Sequence, residues 1–280
     1  MISVIALPDS LKIQNEVNEM IKLTPWQDAI ALPVNSQPAR WSFWTLERIL
    51  TESIRRCAQF SLERDSGIAT TLSGGLDSSF CLAKIREIYG EGIKIFTFTV
   101  GGSTRHPDIR YARIISKKFR TIHLEIIPEP ELLIEAEAVL KTTRPSVVPG
   151  DVAVFLAYQR MATFEFRTAI AHDGIDELLG GYRDHQIRVG KEREAAFENR
   201  WARLGTEHLL PLETSAVHFG IQVALPYLQR EVVRYISRIP LDERTTQESS
   251  KIPLREIARK YLPGEVIERR KYGFCSAFDT

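Results

Sequence analysis

Strand-like and helix-like runs alternate between residues 66 and 172, and that alternation limits the fold more than any other feature. "SGIATTL" is short and β-branched, and "SSFCLAKIREIYG" after it has helical spacing and stops at Gly90. "IKIFTFTVGG" and "DIRYARIISKKF" repeat the pair, and "TIHLEII" reads as a third strand. "PELLIEAEAVLKTT" and "VAVFLAYQRMATF" read as helices, and "FRTAIAH" as a fourth strand. Parallel strands need such helical crossovers, so the expected class is α/β: a twisted parallel sheet with helices on both faces. Residues 1–41 are irregular, broken by "LPDS", "LTPW" and "LPVNSQP". A helix is expected from Ser42, with Leu46, Ile49, Leu50, Ile54, Cys57 and Phe60 at helical spacing. After Tyr182 the pattern turns helical, with no convincing strand. The expected organisation is a sheet layer over 42–185 and a helical part over 186–280.

The 280 residues are 44% hydrophobic, enough for a sizeable core. Lys and Arg number 37 against 36 Asp and Glu, which gives no support for a nucleic-acid or anionic-membrane partner. No apolar run approaches the ~20 residues of a spanning helix. "MISVIALPDSLK" has no basic start and long apolar run of a signal peptide. Cys57, Cys81 and Cys275 form no CxxC pair and fit a reducing compartment, so a cytoplasmic protein is expected.

"TTLSGGLDSSF", Thr70 to Phe80, joins the first strand to its helix. In an open parallel sheet ligands bind beyond the carboxyl ends of strands, where this turn lies. Gly74 and Gly75 let backbone N–H groups turn toward one point, and the helix N-terminus adds to an anion site. Ser73, Ser78 and Ser79 add hydroxyls. Glycine turns also occur there for steric reasons alone. Asp77 is more telling, because a carboxylate beside phosphates makes sense if it holds magnesium. Its bland reading is an N-cap for the following helix. The Walker pattern GxxxxGK[ST] is absent.

A second acidic turn, "HDGIDELLGGY", follows the fourth strand and carries Asp173, Asp176 and Glu177 before Gly180-Gly181. Two such turns at strand ends of one sheet can meet over one crevice. Asp77 and Asp176 would then share magnesium, and Asp173 would face the reacting group. Glu177 also suits the first turn of a helix, and His172 suits a packed strand end. Cys81 is expected in the core, and nothing marks Cys275 as a nucleophile.

"LSGGLDSS" together with "DGIDELLGGY" resembles the synthetase domain of the asparagine synthetase family, whose members are ATP pyrophosphatases with a PP-loop. "PDIRYARIISKKFRTIHLEI", "ALPYLQREVVRYISRIP" and "LPGEVIERRKYGF" follow in the family's order, so the resemblance runs from about residue 42 to the end. It implies an adenine nucleotide α-hydrolase-like fold, ATP and Mg2+ as cofactors, and adenylation of a carboxylic acid with release of pyrophosphate. Ammonia or an amine would then take the acyl group. By the resemblance the PP-loop residues Ser73, Gly74, Gly75, Asp77 and Ser78 hold the nucleotide, and Leu72 and Val100 line the adenine. Asp173 would lie near the acyl group, and Lys271 would stabilise charge at the reacting centre. Taken by itself, Lys271 in "ERRKYGF" reads as a solvated charge.

The sequence departs from the family on the substrate side. Ala171-His172 replace Ser-Gly, and Glu213-Thr214-Ser215-Ala216 replace Asp-Arg-x-Ser. Gln222-Val223-Ala224 replace Glu-x-Arg, and Gln229 replaces an aspartate. Position 2 is Ile2 where the family's glutaminase domain has its nucleophilic cysteine, and about forty residues precede the similar part. The expected nitrogen source is free ammonia, another amine, or a separate glutaminase or amine-donor chain. A nucleotide-binding subunit and a tRNA-modifying PP-loop ligase are the alternatives; the missing basic excess speaks against the second.

Overall fold

The computed structural model describes residues 21–142, 146–269 and 278. One sheet of five parallel strands has the order β3-β2-β1-β4-β5. The strands are β1 (Ile68–Thr71), β2 (Ile95–Val100), β3 (Ile122–Ile126), β4 (Thr168–Ile170) and β5 (Gln222–Ala224). β1 is central, with Ile68, Ala69 and Thr70 buried, as a strand covered on both faces requires.

The larger helices are α1 (Phe43–Leu62), α2 (Leu76–Tyr89), α3 (Pro107–Phe119), α4 (Pro130–Lys141) and α5 (Pro149–Ala162), then α6 (Ile175–Leu179), α7 (Gly190–Leu204), α8 (Leu210–His218), α9 (Arg230–Ile236) and α10 (Ile252–Ala258). Ser42 caps α1, its hydroxyl accepting the Thr45 amide at 3.1 Å. The expected stripe Leu46, Leu50, Ile54 and Cys57 is fully buried. Each such apolar side chain contributes roughly 1.5–3 kcal/mol of burial. α1, α2 and α3 pack as one group, and α4, α5 and α8 as another; α3 and α5 both contact β2, so helices cover both faces. Just after α1, the Asp65 carboxylate accepts the amides of Arg167 and Thr168, each at 2.9 Å, and pins the start of β4. Cys57 and Cys81 lie in the core, where burial pushes both thiols well up.

β5 corrects the expectation of no strand after Tyr182. It has three residues, too few to show a period of two in sequence. Gly220, at φ 67, turns the chain into it, and Pro226 follows Leu225 just beyond it. Its pairing with β4 extends the sheet into the part expected to be helical. One core accordingly runs from Leu46 through Leu82 and Leu225 to Leu254 and Val266.

β1 continues to β2 on one side, and β4 to β5 on the other. The turns after β1 and β4 therefore diverge and leave a crevice between them at the carboxyl ends of the strands. No helix among the described residues is long and apolar enough to cross a membrane.

Candidate active site

The turn after β1 is built by close packing. The Leu72 amide donates to the Phe98 carbonyl at 2.9 Å, and the Thr99 hydroxyl donates to the Leu72 carbonyl. Gly74 then takes φ +66, and a Cβ there would lie 2.4 Å from the Tyr111 carbonyl carbon of α3. Only glycine meets both demands. The Ser73 hydroxyl accepts the Gly75 amide at 3.2 Å, and Ser78 lies buried in the first turn of α2. Gly75 is the N-cap of α2, so Asp77 is not the cap that its bland reading supposed. Asp77 sits in the first turn, and its backbone carbonyl accepts the Tyr227 hydroxyl at 2.8 Å.

The turn after β4 is equally confined. Gly174, at φ +94, lies where a Cβ would be 2.4 Å from Leu228. α6 begins next and carries Asp176 and Glu177 in its first turn. The Gly181 amide donates back to the Asp176 carbonyl at 2.8 Å. A Cβ on Gly181 would fall 1.7 Å from Asp176 Oδ1 and 2.6 Å from Lys251 Cε.

Lys251 explains that confinement. Its Nζ lies 2.5 Å from Asp77 Oδ2 and 2.7 Å from Asp176 Oδ1, and its side chain is 6% exposed. Two carboxylates from two strand ends thus close on one ammonium. Lys251 precedes α10 in left-handed backbone, φ 52, with its amide on the Leu179 carbonyl at 3.2 Å. Sequence reasoning alone misses it. No local motif marks it, and its Asp77 partner is 174 residues away.

Aromatic residues surround the carboxylates. The Tyr182 hydroxyl donates to Glu177 Oε1 at 2.6 Å, and Glu177 is buried. Burial raises the Tyr182 phenol above its ordinary range, and Glu177, Asp176 and Asp173 raise it further. Tyr158 of α5 is raised by burial and by Asp173, which places Asp173 within electrostatic reach of both phenols. Burial lowers His172 to about 3, so its imidazole is neutral at physiological pH. Thr70 Oγ1 donates to the Ile170 carbonyl at 3.0 Å and lies 3.3 Å from His172 Nε2.

Leu72, Ser73 and Val100 line a cleft against Ala153, Val154 and Ala157 of α5, with an open volume of about 20 Å3. A larger cavity, about 380 Å3, lies elsewhere, between α4, α5 and α8; the residues expected to hold nucleotide or metal or to act in catalysis do not line it, but Glu213, Thr214 and Ser215 do. Lys271 and Cys275 lie outside the described residues. Some substrate-side departures have structural work here. Gln229 is buried, its Nε2 donating to the Leu225 carbonyl at 3.0 Å and its Oε1 accepting the Thr24 amide at 2.9 Å. Glu213 accepts the Trp26 indole at 3.1 Å. Gln222 starts β5 and is exposed.

A parallel sheet with a glycine turn after β1, and with carboxylates from β1 and β4 meeting at its switch point, has the build of the PP-loop class. The family model described as asparagine synthase matches residues 45–210 and 190–280, and the chain belongs to that family. Among curated relatives, asparagine synthetase [glutamine-hydrolyzing] 2 of Oryza sativa subsp. japonica is 24% identical over 250 residues, covering 81% of this chain and 42% of the relative. Asparagine synthetase [glutamine-hydrolyzing] of Gallus gallus is 25% identical over 273 residues, covering 91% and 48%. The chain therefore spans less than half the length of these relatives. Among solved structures, NMN synthetase from Francisella tularensis gives a TM-score of 0.36 at 16% identity over 71% of this chain and 97% of that one. At that score the likeness carries no weight.

Proposed function

We propose that this chain is an ATP-dependent, AMP-forming ligase that adenylates a carboxylic acid and passes the acyl group to ammonia or an amine. The observation that carries this reading is the convergence of Asp77 and Asp176 on one cation. Their oxygens already hold a positive charge at 2.5 and 2.7 Å, and Gly181 keeps the space beside them clear. Among the described residues no group of three or more His, Cys, Asp and Glu could hold a metal. Mg2+ needs only one or two carboxylates and completes its shell with phosphates and water. Asp77 and Asp176 would hold it, and it would neutralise charge on the departing pyrophosphate.

The chain's own groups do the rest. Backbone amides of Ser73 and Gly74 and the N-terminus of α2 receive phosphate oxygens, with Gly75 shaping the turn. Lys251 supplies a fixed positive charge beside it, at Asp77 Oδ2 and Asp176 Oδ1. Leu72 and Val100 take the adenine by backbone contacts, and Asp173 faces the acyl group and the incoming amine. Lys271 stabilises charge at the reacting centre.

Gln229 and Glu213 are committed to structural bonds, which weakens the case for aspartate as the acid that is adenylated. The same observation favours a second reading, a nucleotide-binding subunit that does not turn over. A separate amine donor or glutaminase chain, and residence in the cytoplasm, belong to the proposal too. As for boundaries, the ligase unit is proposed over 42–280; residues 21–41, expected to be irregular, instead include a helix over Trp26–Ile30 and pack onto that unit, with Ala29 and Val34 buried in its core. Chromatography of turnover mixtures with a panel of carboxylic acids and ammonia tests it. AMP and pyrophosphate are expected; ADP as the sole nucleotide product rules the reading out, and no product with any acid favours the subunit.

A further inference from the structure

Asp108 presents a problem for any anionic ligand of this crevice. It is the second residue of α3, its amide donates to His106 Nδ1 at 3.2 Å, and it lines the cleft with Leu72, Ser73 and Val100. An uncompensated carboxylate buried there would repel a triphosphate. Arg269 answers it from the far end of the chain. Its Nη2 donates to Asp108 Oδ1, and its Nη1 donates to the Ser73 carbonyl at 2.8 Å. The guanidinium lies 4.5 Å from the centre of the Tyr111 ring, and the Arg269 and Asp108 side chains are 5% and 8% exposed. Tyr111 is also the residue whose backbone abuts Gly74. One planar cation thus ties together the phosphate turn, the start of α3 and the segment that leads to Lys271.

The hold on Ser73 has a directional consequence. Carbonyl and following N–H point oppositely across a trans peptide. Fixing the Ser73 oxygen on Arg269 therefore fixes the Gly74 N–H on the other side of the turn. A lysine offers one nitrogen where the guanidinium offers a planar fork, so it cannot donate to Asp108 and Ser73 from two fixed nitrogens as Arg269 does.

We propose that Arg269 is the positioning residue of the phosphate turn: it cancels the Asp108 charge beside the cleft and sets the direction of the Gly74 amide. This rests on the nucleotide reading above. Its effect should scale with ligand charge, which a merely structural arginine would not do.

The test is calorimetry of the full chain with ATP·Mg2+ and with adenosine, alongside melting temperatures. The proteins are wild type, Arg269→Met, Arg269→Lys and the double variant Arg269→Met with Asp108→Asn. We expect Arg269→Met to lose ten- to hundredfold in ATP affinity and less than threefold for adenosine. The double variant should regain the part of the loss that comes from the Asp108 charge, and Arg269→Lys should fall between, which covers the case in which the methionine variant does not fold. ATP affinity at the wild-type level in Arg269→Met or Arg269→Lys overturns the proposal alone. So does an equal loss for ATP and adenosine, or a double variant no better than the single. No ATP binding by the wild type overturns the nucleotide reading, and this proposal with it.

Discussion

Lys251→Met is the sharpest perturbation of the site. The ammonium lies 2.5 Å from Asp77 Oδ2 and 2.7 Å from Asp176 Oδ1, so these two oxygens are at most about 5 Å apart. At an effective dielectric near 20, two like charges at about 5 Å repel by roughly 3 kcal/mol. Breaking a buried pair by removing one partner costs about 3–5 kcal/mol, in line with that figure. Urea unfolding of the metal-free variant should show a loss of about 3 kcal/mol. The account also demands that a divalent cation relieve it, because the vacated point is flanked by both carboxylates. Saturating Mg2+ should restore more than half of the loss in Lys251→Met and change wild type by less than about 1 kcal/mol. A loss below about 1 kcal/mol, or one indifferent to Mg2+, would refute the idea that the two carboxylates share one cation position.

Three further outcomes are expected. Gly181→Ala puts a methyl 1.7 Å from Asp176 Oδ1 and should abolish Mg2+-dependent ATP binding, while Gly264→Ala, with nothing within 4 Å, should not; calorimetry decides. Arg244 is 1% exposed and donates to the carbonyls of Ile239, Val34, Leu178 and Ser237, so Arg244→Met should cost about 4 kcal/mol or more in urea unfolding. His185 is fully buried against Phe197, and burial lowers it from 6.5 to about 4, with Asp184 and Asp176 raising it and Arg200 lowering it. Its folded value is depressed, so this stability is full above pH 6.5 and lost as pH falls toward 4; between pH 7 and 5 wild type should lose about 2 kcal/mol more than His185→Gln.

The sheet was legible because a parallel arrangement forces its sequence to alternate, and β1 to β4 are separated by helices with clear spacing, two of them between β3 and β4. β5 was not, since three residues carry no periodicity. The two acidic turns were legible for a topological reason: strands of one parallel sheet end on one side, so Asp77 and Asp176 had to fall along the same edge. Their cation was not. Lys251 and Arg269 look like ordinary surface charges in "SSKIP" and "ERRK", because their partners lie far along the chain. Arg244 binds only backbone carbonyls, which any sequence supplies. The substrate side was legible as departures from a family pattern, but that Gln229 and Glu213 bond to Thr24, Leu225 and Trp26 follows from packing alone.

Activation of a carboxylate with ATP is the step proposed for this crevice. Exchange of labelled pyrophosphate into ATP, run against a panel of carboxylic acids with Mg2+ and no amine, measures that step directly. Exchange is expected to depend on one acid and on Mg2+, and to fall by at least about a hundredfold in Asp77→Asn. Acid-dependent exchange that persists undiminished in both Asp77→Asn and Asp176→Asn, or no exchange with any acid, would contradict it.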